Sequence, residues 1–194
     1  MKKELIVISG PSGVGKKTVV EAVLEKSDQF VLSVSATTRK PRTGEVNGVD
    51  YHFLTTQQFR EKIKENAFVE WAKVHDQYYG TLIDNLEQAK KRRQHLVLEI
   101  DVQGAMAIKK KYGEKALLIF ILPPCFEDLI VRLHNRGTEL EEEIEKRIET
   151  AKLEIQVANE YDYRVINDEV ARAAAEIIQI VESSERRKKY EKSS

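Results

Sequence analysis

The chain has 194 residues, in which 32 lysines and arginines balance 32 aspartates and glutamates, so its formal net charge is zero. This balance argues against a general affinity for nucleic acids or anionic membranes. Cys125 is the only cysteine, which excludes a disulfide within the chain and disfavours a cysteine-based metal cluster. No stretch has the pattern of a secretory signal or the length of a membrane span, so we expect a cytoplasmic protein with one main domain.

Short apolar runs alternate with stretches of helical periodicity along the chain. The runs with the character of buried strands are residues 5–8, 31–34, 96–100, 117–122 and 163–166. Between them, apolar side chains recur at intervals of three and four, as in the segments 144–158 and 170–181. Strands that alternate with amphipathic helices predict an α/β fold, in which helices cover both faces of a parallel sheet.

The first strand leads directly into a glycine-rich turn, residues 9–18, which reads SGPSGVGKKT. Glycines in this turn permit backbone conformations that let successive N–H groups point inward around phosphate oxygens. Lys16 adds a mobile ammonium group, and the helix that follows adds the partial positive charge of its N-terminus. Strand, turn and helix together predict a phosphate-binding loop, against the alternative of a tight turn that binds no ligand.

One position of this loop departs from the usual pattern. A serine or threonine normally follows the lysine and reaches Mg²⁺ with its hydroxyl group, whereas this chain has Lys17 there. Thr18 is not a simple replacement, because one residue along a helix turns the side chain by about 100°. The Lys17 ammonium group can lie over a phosphate or turn out to solvent, and its redundancy with Lys16 favours solvent. We expect Mg²⁺ to be held mainly by nucleotide oxygens and waters.

Polar residues follow two further strands, at the edge where parallel sheets bind ligands. Residues 33–42, after the second strand, are rich in serine, threonine and arginine. Glu99 and Asp101 occupy alternate positions near the end of the strand at 96–100, which places them on one face. They can bind Mg²⁺ through water or bind a substrate. Asp101 can equally cap the helix that we predict over residues 102–112.

The segment 35–81 combines groups that bind phosphate with a carboxylate suited to a purine. Arg39 and Arg42 offer planar forks that match phosphate oxygens, and Tyr51 and Tyr79 offer hydroxyl donors. Glu70 can accept two hydrogen bonds from the amidine-like edge of guanine, which adenine lacks. Singly, each side chain is compatible with an ordinary core or surface role; together they predict a phosphate clamp beside a purine-reading group.

The chain resembles the guanylate kinases nearly from end to end. The motifs that carry the resemblance are residues 9–16, 35–51, 70–72, 78–81, 101–104, 136–139 and 165–168. The block 35–51, SATTRKPRTGEVNGVDY, is the most specific, since a phosphate-binding loop alone occurs in many unrelated enzymes. The resemblance implies a P-loop NTPase core of residues 1–34, 83–125 and 151–194, an inserted GMP-binding lobe with a small mixed sheet at 35–82, and a helical lid at 126–150.

The resemblance also implies an activity, the transfer of the γ-phosphoryl group of ATP to GMP or dGMP, with Mg²⁺ entering with ATP. The implied ATP-binding residues are Gly10, Pro11, Ser12, Gly13, Val14, Gly15, Lys16, Lys17, Thr18, Arg132, Arg136 and Asn167. The implied GMP-binding residues are Ser35, Arg39, Arg42, Tyr51, Glu70, Tyr79, Thr81 and Asp101. The groups that would act on the transferring phosphoryl group are Lys16, Arg42, Arg136 and Arg147. Glu99 and Asp101 would be outer-shell partners of the metal, and the protein would be a monomer or homodimer.

The lid arginines have a physical interpretation of their own. Arg132 and Arg136 are four residues apart, which makes them neighbours on one helix face, and Arg147 lies on the next helix after an acidic stretch at 139–143. Cations on a lid bring positive charge to a transferring phosphoryl group only when the lid closes. The alternative is ordinary pairing with nearby glutamates on a solvated face.

The residues leave two other functions open. One is a guanylate-kinase-like interaction module that binds phosphorylated peptides and has lost catalysis, which Lys17 alone favours. The other is a kinase for a different phosphorylated acceptor, against which Glu70 and Ser35 argue.

Overall fold

The computed structural model describes residues 3–74, 76–134 and 141–190, the last five of them by their backbone alone. The strands in these ranges are β1 Leu5–Ser9, β2 Phe30–Leu32, β3 Ala36–Thr37, β4 His52–Phe53, β5 Phe68–Val74, β6 Gln77–Leu82, β7 His95–Glu99, β8 Ala116–Leu122 and β9 Tyr163–Ile166. The α-helices are α1 Lys16–Lys26, α2 Thr56–Lys64, α3 Ile83–Lys91, α4 Val102–Tyr112, α5 Phe126–His134, α6 Glu141–Gln156 and α7 Val170–Tyr190.

The core is a five-stranded parallel sheet in the order β2-β7-β1-β8-β9. Its central strand β1 is buried along its whole length, and its side chains alternate between two apolar clusters. One cluster packs against α1 and α7, and the other packs against α3 and α4. The predicted α/β fold with helices on both faces is therefore confirmed.

Two predicted boundaries near the sheet were wrong by a few residues. The second strand ends at Leu32 instead of residue 34, because the chain leaves the sheet there and enters a separate lobe. Asn85, in the first turn of α3, donates to Ser33 Oγ and to the Val34 carbonyl, both at 2.9 Å, and so ties together the entry to and the exit from this lobe. The first helix begins at Lys16, two residues before Thr18, from which the apolar pattern of residues 18–24 predicts it.

The lobe between β2 and α3 has a small mixed sheet in the order β4-β3-β6-β5. β3 pairs in parallel with β4 and antiparallel with β6, which is antiparallel to β5. Its core is aromatic: the Phe59 ring stacks on Phe68 and Tyr78, with centroid separations of 4.4 and 5.3 Å. The predicted small mixed sheet is confirmed.

Two helices, α5 and α6, follow β8 in the segment 126–156. Residue 150, the predicted end of the lid, lies within α6, which runs to Gln156 and buries Ile144 and Ala151 in the core. Among the described residues, no helix combines the length and the apolar character needed to cross a membrane.

Candidate active site

The phosphate loop joins β1 to α1 at the carboxyl edge of the parallel sheet. Its glycines adopt conformations that other residues rarely take: Gly13 and Gly15 have φ values of 85° and 92°. A side chain would also clash with neighbouring atoms at two of these glycines. A Cβ on Gly10 would lie 2.5 Å from the Ile121 carbonyl oxygen, and a Cβ on Gly15 would lie 2.7 Å from Asn167 Nδ2. Close packing against β8 and the end of β9 therefore fixes the curvature of the loop.

Lys16 bends back across this loop. Its ammonium group donates to the carbonyl oxygens of Gly10 and Pro11 at 2.6 and 3.1 Å. The ammonium charge is thereby held against the loop, beside the N-terminus of α1. The positive charge of Lys16 and the partial positive charge of the helix N-terminus therefore act at the same place.

The two residues after Lys16 face away from the loop. The Lys17 side chain is 72% exposed, and its ammonium group lies 3.9 Å from Glu21 Oε1, one turn further along α1. Thr18 is exposed on the same helix. Neither lines the cleft described next.

A cleft of about 510 Å³ joins the phosphate loop to the small-sheet lobe. The predicted residues that line it are Gly10, Ser12, Lys16, Ser35, Arg39, Arg42, Tyr51, Glu70, Tyr79, Glu99 and Asp101. The loop and the groups predicted to bind a nucleoside monophosphate thus share one cavity, although up to 91 residues separate them in the chain. Thr81 lies just behind the lining, fully buried, and contacts Glu70.

Arg39 is held by a partner that the sequence analysis did not identify. Its guanidinium group forms a two-point bond with Glu45, with N···O distances of 2.9 and 2.7 Å, and Glu45 also accepts the Arg42 backbone N–H at 2.6 Å. These hydrogen bonds lower the pKa of Glu45 to about 2 and raise that of Arg39. The guanidinium group also lies 5.3 Å from the centre of the Tyr51 ring. Glu45 therefore fixes the Arg39 guanidinium group and the Arg42 backbone together.

The two tyrosines of the predicted clamp lie together. Their rings meet edge to face with centroids 6.3 Å apart. Burial raises the pKa of Tyr51, and the Glu99 carboxylate adds to this effect, so its hydroxyl group keeps its proton and remains a donor.

Glu70 and Asp101 approach each other at the other end of the cleft. Glu70 is only 8% exposed, and its Oε1 accepts the Thr81 hydroxyl proton at 2.8 Å. Burial raises the pKa of Glu70 to about 7, Thr81 opposes this rise, and Asp101 adds to it. Asp101 caps α4 by accepting the Gly104 N–H at 2.8 Å. The capping alternative for Asp101 is therefore correct, and the same side chain also lines the cleft.

Glu99 ends β7 beside the phosphate loop. Burial raises the pKa of its carboxyl group, whereas the ammonium groups of Lys16 and Lys17 act in the opposite direction. Within the described residues, no group of three or more His, Cys, Asp or Glu side chains is arranged to hold a metal ion.

Side chains of α5, α6 and the end of β9 surround the phosphate loop. Arg132 donates to the carbonyl oxygens of Val14 and Asn167 at 3.2 and 3.3 Å. The Asn167 amide also donates to the Val14 carbonyl, at 2.8 Å. Arg147 donates to Ser12 Oγ at 3.2 Å. Arg136, the third predicted lid arginine, lies outside the described residues.

Glu154 on α6, which no sequence motif singles out, also lines the cleft. Burial raises the pKa of its carboxyl group, while Lys16 and the Ser12 backbone N–H, from which it accepts a hydrogen bond, lower it. Nothing in the surrounding helical pattern separates Glu154 from the other glutamates of α6. Arg147 and Glu154 are two turns apart on this helix, and both contact Ser12.

A glycine-rich loop between a buried parallel strand and a helix, with a lysine folded over it, defines a P-loop nucleotide-binding protein. A family model described as "Guanylate kinase" matches residues 2–184. The chain belongs to the guanylate kinase family.

Individual relatives agree with this assignment. The chain is similar to a guanylate kinase from Caldanaerobacter subterraneus subsp. tengcongensis, with 50% identity over 181 residues, 91% of this chain and 85% of that protein. A guanylate kinase from Clostridioides difficile is 46% identical over 184 residues, 95% of this chain and 89% of that protein. The crystal structure of guanylate kinase from Anaplasma phagocytophilum superposes with a TM-score of 0.74 at 31% identity, covering 92% of this chain and 84% of that one.

Proposed function

We propose that the protein transfers the γ-phosphoryl group of ATP to GMP, and less efficiently to dGMP, giving ADP and GDP or dGDP. One observation carries the proposal: the phosphate loop with Lys16, the Arg39–Arg42 segment and the buried carboxylate of Glu70 line the same cleft. The cleft therefore offers a site for a donor triphosphate and a site for a purine monophosphate side by side.

In this proposal the small-sheet lobe contacts GMP at its phosphate and at its base. Arg39, Arg42, Tyr51 and Tyr79 hold its phosphate. The bond to Glu45 keeps the Arg39 guanidinium group in one orientation, and its Nε–H and second Nη2–H are the donors proposed for the phosphate. The ionised carboxylate of Glu70 accepts from guanine N1–H and the 2-amino group, with Ser35, Thr81 and Asp101 around the base. Adenine offers an acceptor at N1, which an ionised carboxylate repels, so AMP is excluded.

The core binds ATP, and it acts mainly by position and charge. Residues 10–16 surround the phosphates, and Lys16 neutralises charge on the transferring group. Arg132 and Asn167 frame the loop near the nucleoside, and Arg147 brings further positive charge from α6. Arg136 is the second cation proposed for the lid. The GMP phosphate is already an oxyanion, so no strong general base is needed. Closure of the lid over the cleft excludes water, which would otherwise accept the phosphoryl group.

Mg²⁺ is the proposed cofactor, and it neutralises phosphate charge when bound with ATP. The residues present fit a metal held through water rather than directly, because the hydroxyl ligand after Lys16 is absent and Lys17 faces solvent. Glu99, beside Lys16, is the carboxylate that would orient a metal-bound water, with Asp101 behind it.

The lobe 35–82 and the segment 126–150 are proposed as the moving parts around a core of residues 1–34, 83–125 and 151–194.

We further propose that the protein is cytoplasmic and that it is a monomer or a homodimer. Light scattering coupled to size-exclusion chromatography distinguishes these two oligomeric states.

The experiment is a coupled assay of ADP release with ATP, Mg²⁺ and one acceptor at a time: GMP, dGMP, AMP, UMP or dTMP. We expect GMP to be the best acceptor, dGMP to be weaker and AMP to be inactive. Glu70→Gln should raise the KM for GMP roughly 5- to 150-fold, as about 1–3 kcal/mol of base recognition is lost. Glu65→Gln, an exposed carboxylate of the same lobe, is the matched control.

Other outcomes support other functions. Equal rates with GMP and AMP would contradict the proposal, and a preference for UMP or dTMP would identify a kinase for another acceptor. GMP binding without ADP release at any Mg²⁺ concentration would favour the interaction module.

A further inference from the structure

Gly104 occupies a position where helix α4 meets both base-reading carboxylates. It lies in the first turn of the helix and donates its N–H to Asp101 Oδ1 at 2.8 Å. A Cβ atom at this position would stand 3.3 Å from Glu70 Oε2 and 3.4 Å from Asp101 Oδ1, and 3.3 Å from Ile100 Cδ1. The separation from Asp101 is an ordinary contact, whereas the two at 3.3 Å are slightly too short, so Glu70 or Ile100 would have to shift by a few tenths of an ångström.

Helix geometry does not explain a glycine here. Gly104 is absent from the residues with positive φ, so its backbone is accessible to any amino acid. In such a position alanine stabilises a helix relative to glycine, because glycine loses more conformational freedom on folding. The reason for glycine must therefore lie in the space next to it.

Glu70 cannot retreat easily from that space. Its Oε1 is fixed by the Thr81 hydroxyl group, and its backbone is paired with Thr81 between β5 and β6. Lys111, in the last turn of α4, donates to the carbonyl oxygens of Val69 and Phe68 at 2.9 and 3.3 Å, and so ties β5 to the helix. A methyl group on Gly104 would thus push the carboxylate rather than the strand.

We propose that Gly104 is a positioning residue for base specificity: the missing side chain leaves the space in which the Glu70 carboxylate lies and faces guanine. This inference rests on the proposed function, since it concerns the same recognition of GMP. It assigns a role to a residue that touches no substrate and acts through Glu70.

The test is Gly104→Ala, assayed with GMP, AMP and ATP varied in turn. Displacement of Glu70 Oε2 should weaken one of two hydrogen bonds to the base, so we expect the KM for GMP to rise about tenfold. The preference for GMP over AMP, as the ratio of kcat/KM, should fall by a similar factor. The KM for ATP and the kcat at saturating GMP should stay within about threefold, because neither depends on the base edge. The Tm should change little, since the gain in helix propensity from alanine opposes the cost of shifting Glu70.

Two further variants separate positioning from helix stability. Lys110→Gly, compared with Lys110→Ala, changes helix propensity at an exposed position of α4 and should lower the Tm without changing the KM for GMP. Glu70→Asp weakens GMP use by itself but withdraws the carboxylate by one methylene from Gly104. The double variant Gly104→Ala/Glu70→Asp should therefore be no worse than Glu70→Asp alone, a non-additive result.

The outcomes distinguish this inference from the proposed function. If the wild-type protein does not prefer GMP over AMP, the proposed function fails. If it does, and Gly104→Ala leaves the KM for GMP within about twofold, or its effect adds to that of Glu70→Asp, the role of Gly104 is refuted. If Gly104→Ala lowers the Tm, recovery of the Tm in the double variant supports the crowding of Glu70, and no recovery overturns it.

Discussion

The Thr81 hydroxyl group donates to Glu70 Oε1 at 2.8 Å across the antiparallel strands β5 and β6. The bond favours the ionised carboxylate, whereas burial of Glu70 disfavours it more strongly, and its pKa rises to about 7. The group proposed to read guanine therefore titrates close to neutral pH, where its charge depends on both its burial and its single hydroxyl donor.

This balance predicts a pH dependence of GMP use. Only the ionised form accepts both guanine N–H groups, so kcat/KM for GMP should fall as the pH decreases through about 7, approaching tenfold per unit below it. The KM for ATP should not follow this change. The measurement is a profile from about pH 6 to pH 9 at saturating ATP, corrected for the GMP phosphate, whose second pKa is about 6.

Thr81→Val tests the origin of the effect. Removing the hydroxyl donor raises the pKa of Glu70 further, so the midpoint should move to higher pH in this variant. Glu70→Gln should lose the transition altogether. An unchanged midpoint in Thr81→Val would contradict the interpretation of the hydrogen bond, and a flat wild-type profile would contradict the assignment of Glu70 as the titrating group.

The phosphate loop and the parallel sheet could be predicted because their signals are local. Residues 5–16 contain a buried strand, its glycines and its lysine in one continuous stretch, and the structure places them as predicted. The end of β2 could not be predicted in the same way, since Val34 has the apolar character of a strand residue. Its departure from the sheet is decided by the lobe that follows and by Asn85, far along the chain.

Arg42→Met should impair GMP use and leave ATP use nearly intact. The residue lies on the lobe side of the cleft, and a charge-assisted bond to phosphate contributes about 1.5–3 kcal/mol, so we expect the KM for GMP to rise roughly 10- to 150-fold. Steady-state kinetics with each substrate varied separately measures this. Arg60→Met, an exposed arginine on α2, is the control that should behave as wild type. An equal rise in both KM values would place Arg42 nearer to ATP than we propose.

Lys16→Met should act on the rate instead. The ammonium group is held over the loop by two carbonyl oxygens and neutralises charge that develops on the transferring group, so kcat should fall by about 100-fold or more at any GMP concentration. Calorimetric titration of GMP into the variant should give the wild-type Kd, because the lobe is unchanged. Retention of more than about a tenth of the wild-type kcat would refute a catalytic role for Lys16.

The candidate site was less predictable where it depends on pairs distant in sequence. The sequence left Asp101 with two interpretations, a helix cap or a cleft residue, and the structure gives it both positions because one carboxylate oxygen suffices for the cap. Glu154 gave no signal, since its contact with the phosphate loop spans more than 140 residues. The bond between Glu45 and Arg39 could not be predicted either, although the two residues are close in sequence. A glutamate in a polar stretch after Arg42 carries no pattern that identifies its partner.

The last prediction concerns Lys17, whose ammonium group faces solvent beside Glu21. A charged lysine cannot coordinate Mg²⁺, whereas a serine hydroxyl group at the first turn of α1 can. Lys17→Ser should therefore lower the Mg²⁺ concentration for half-maximal activity about fivefold at fixed ATP, corresponding to about 1 kcal/mol for one added ligand.

Lys17→Met is the matched control, because it removes the same charge without supplying a hydroxyl group. If both variants shift the Mg²⁺ requirement equally, loss of the positive charge is the cause and the serine does not reach the metal. If neither shifts it, position 17 has no influence on the metal, and carboxylates such as Glu99 must already provide what the hydroxyl ligand supplies elsewhere. A shift confined to Lys17→Ser means that the wild-type protein holds Mg²⁺ through nucleotide oxygens and waters alone. Its activity then requires a higher concentration of free Mg²⁺ than that of the serine variant.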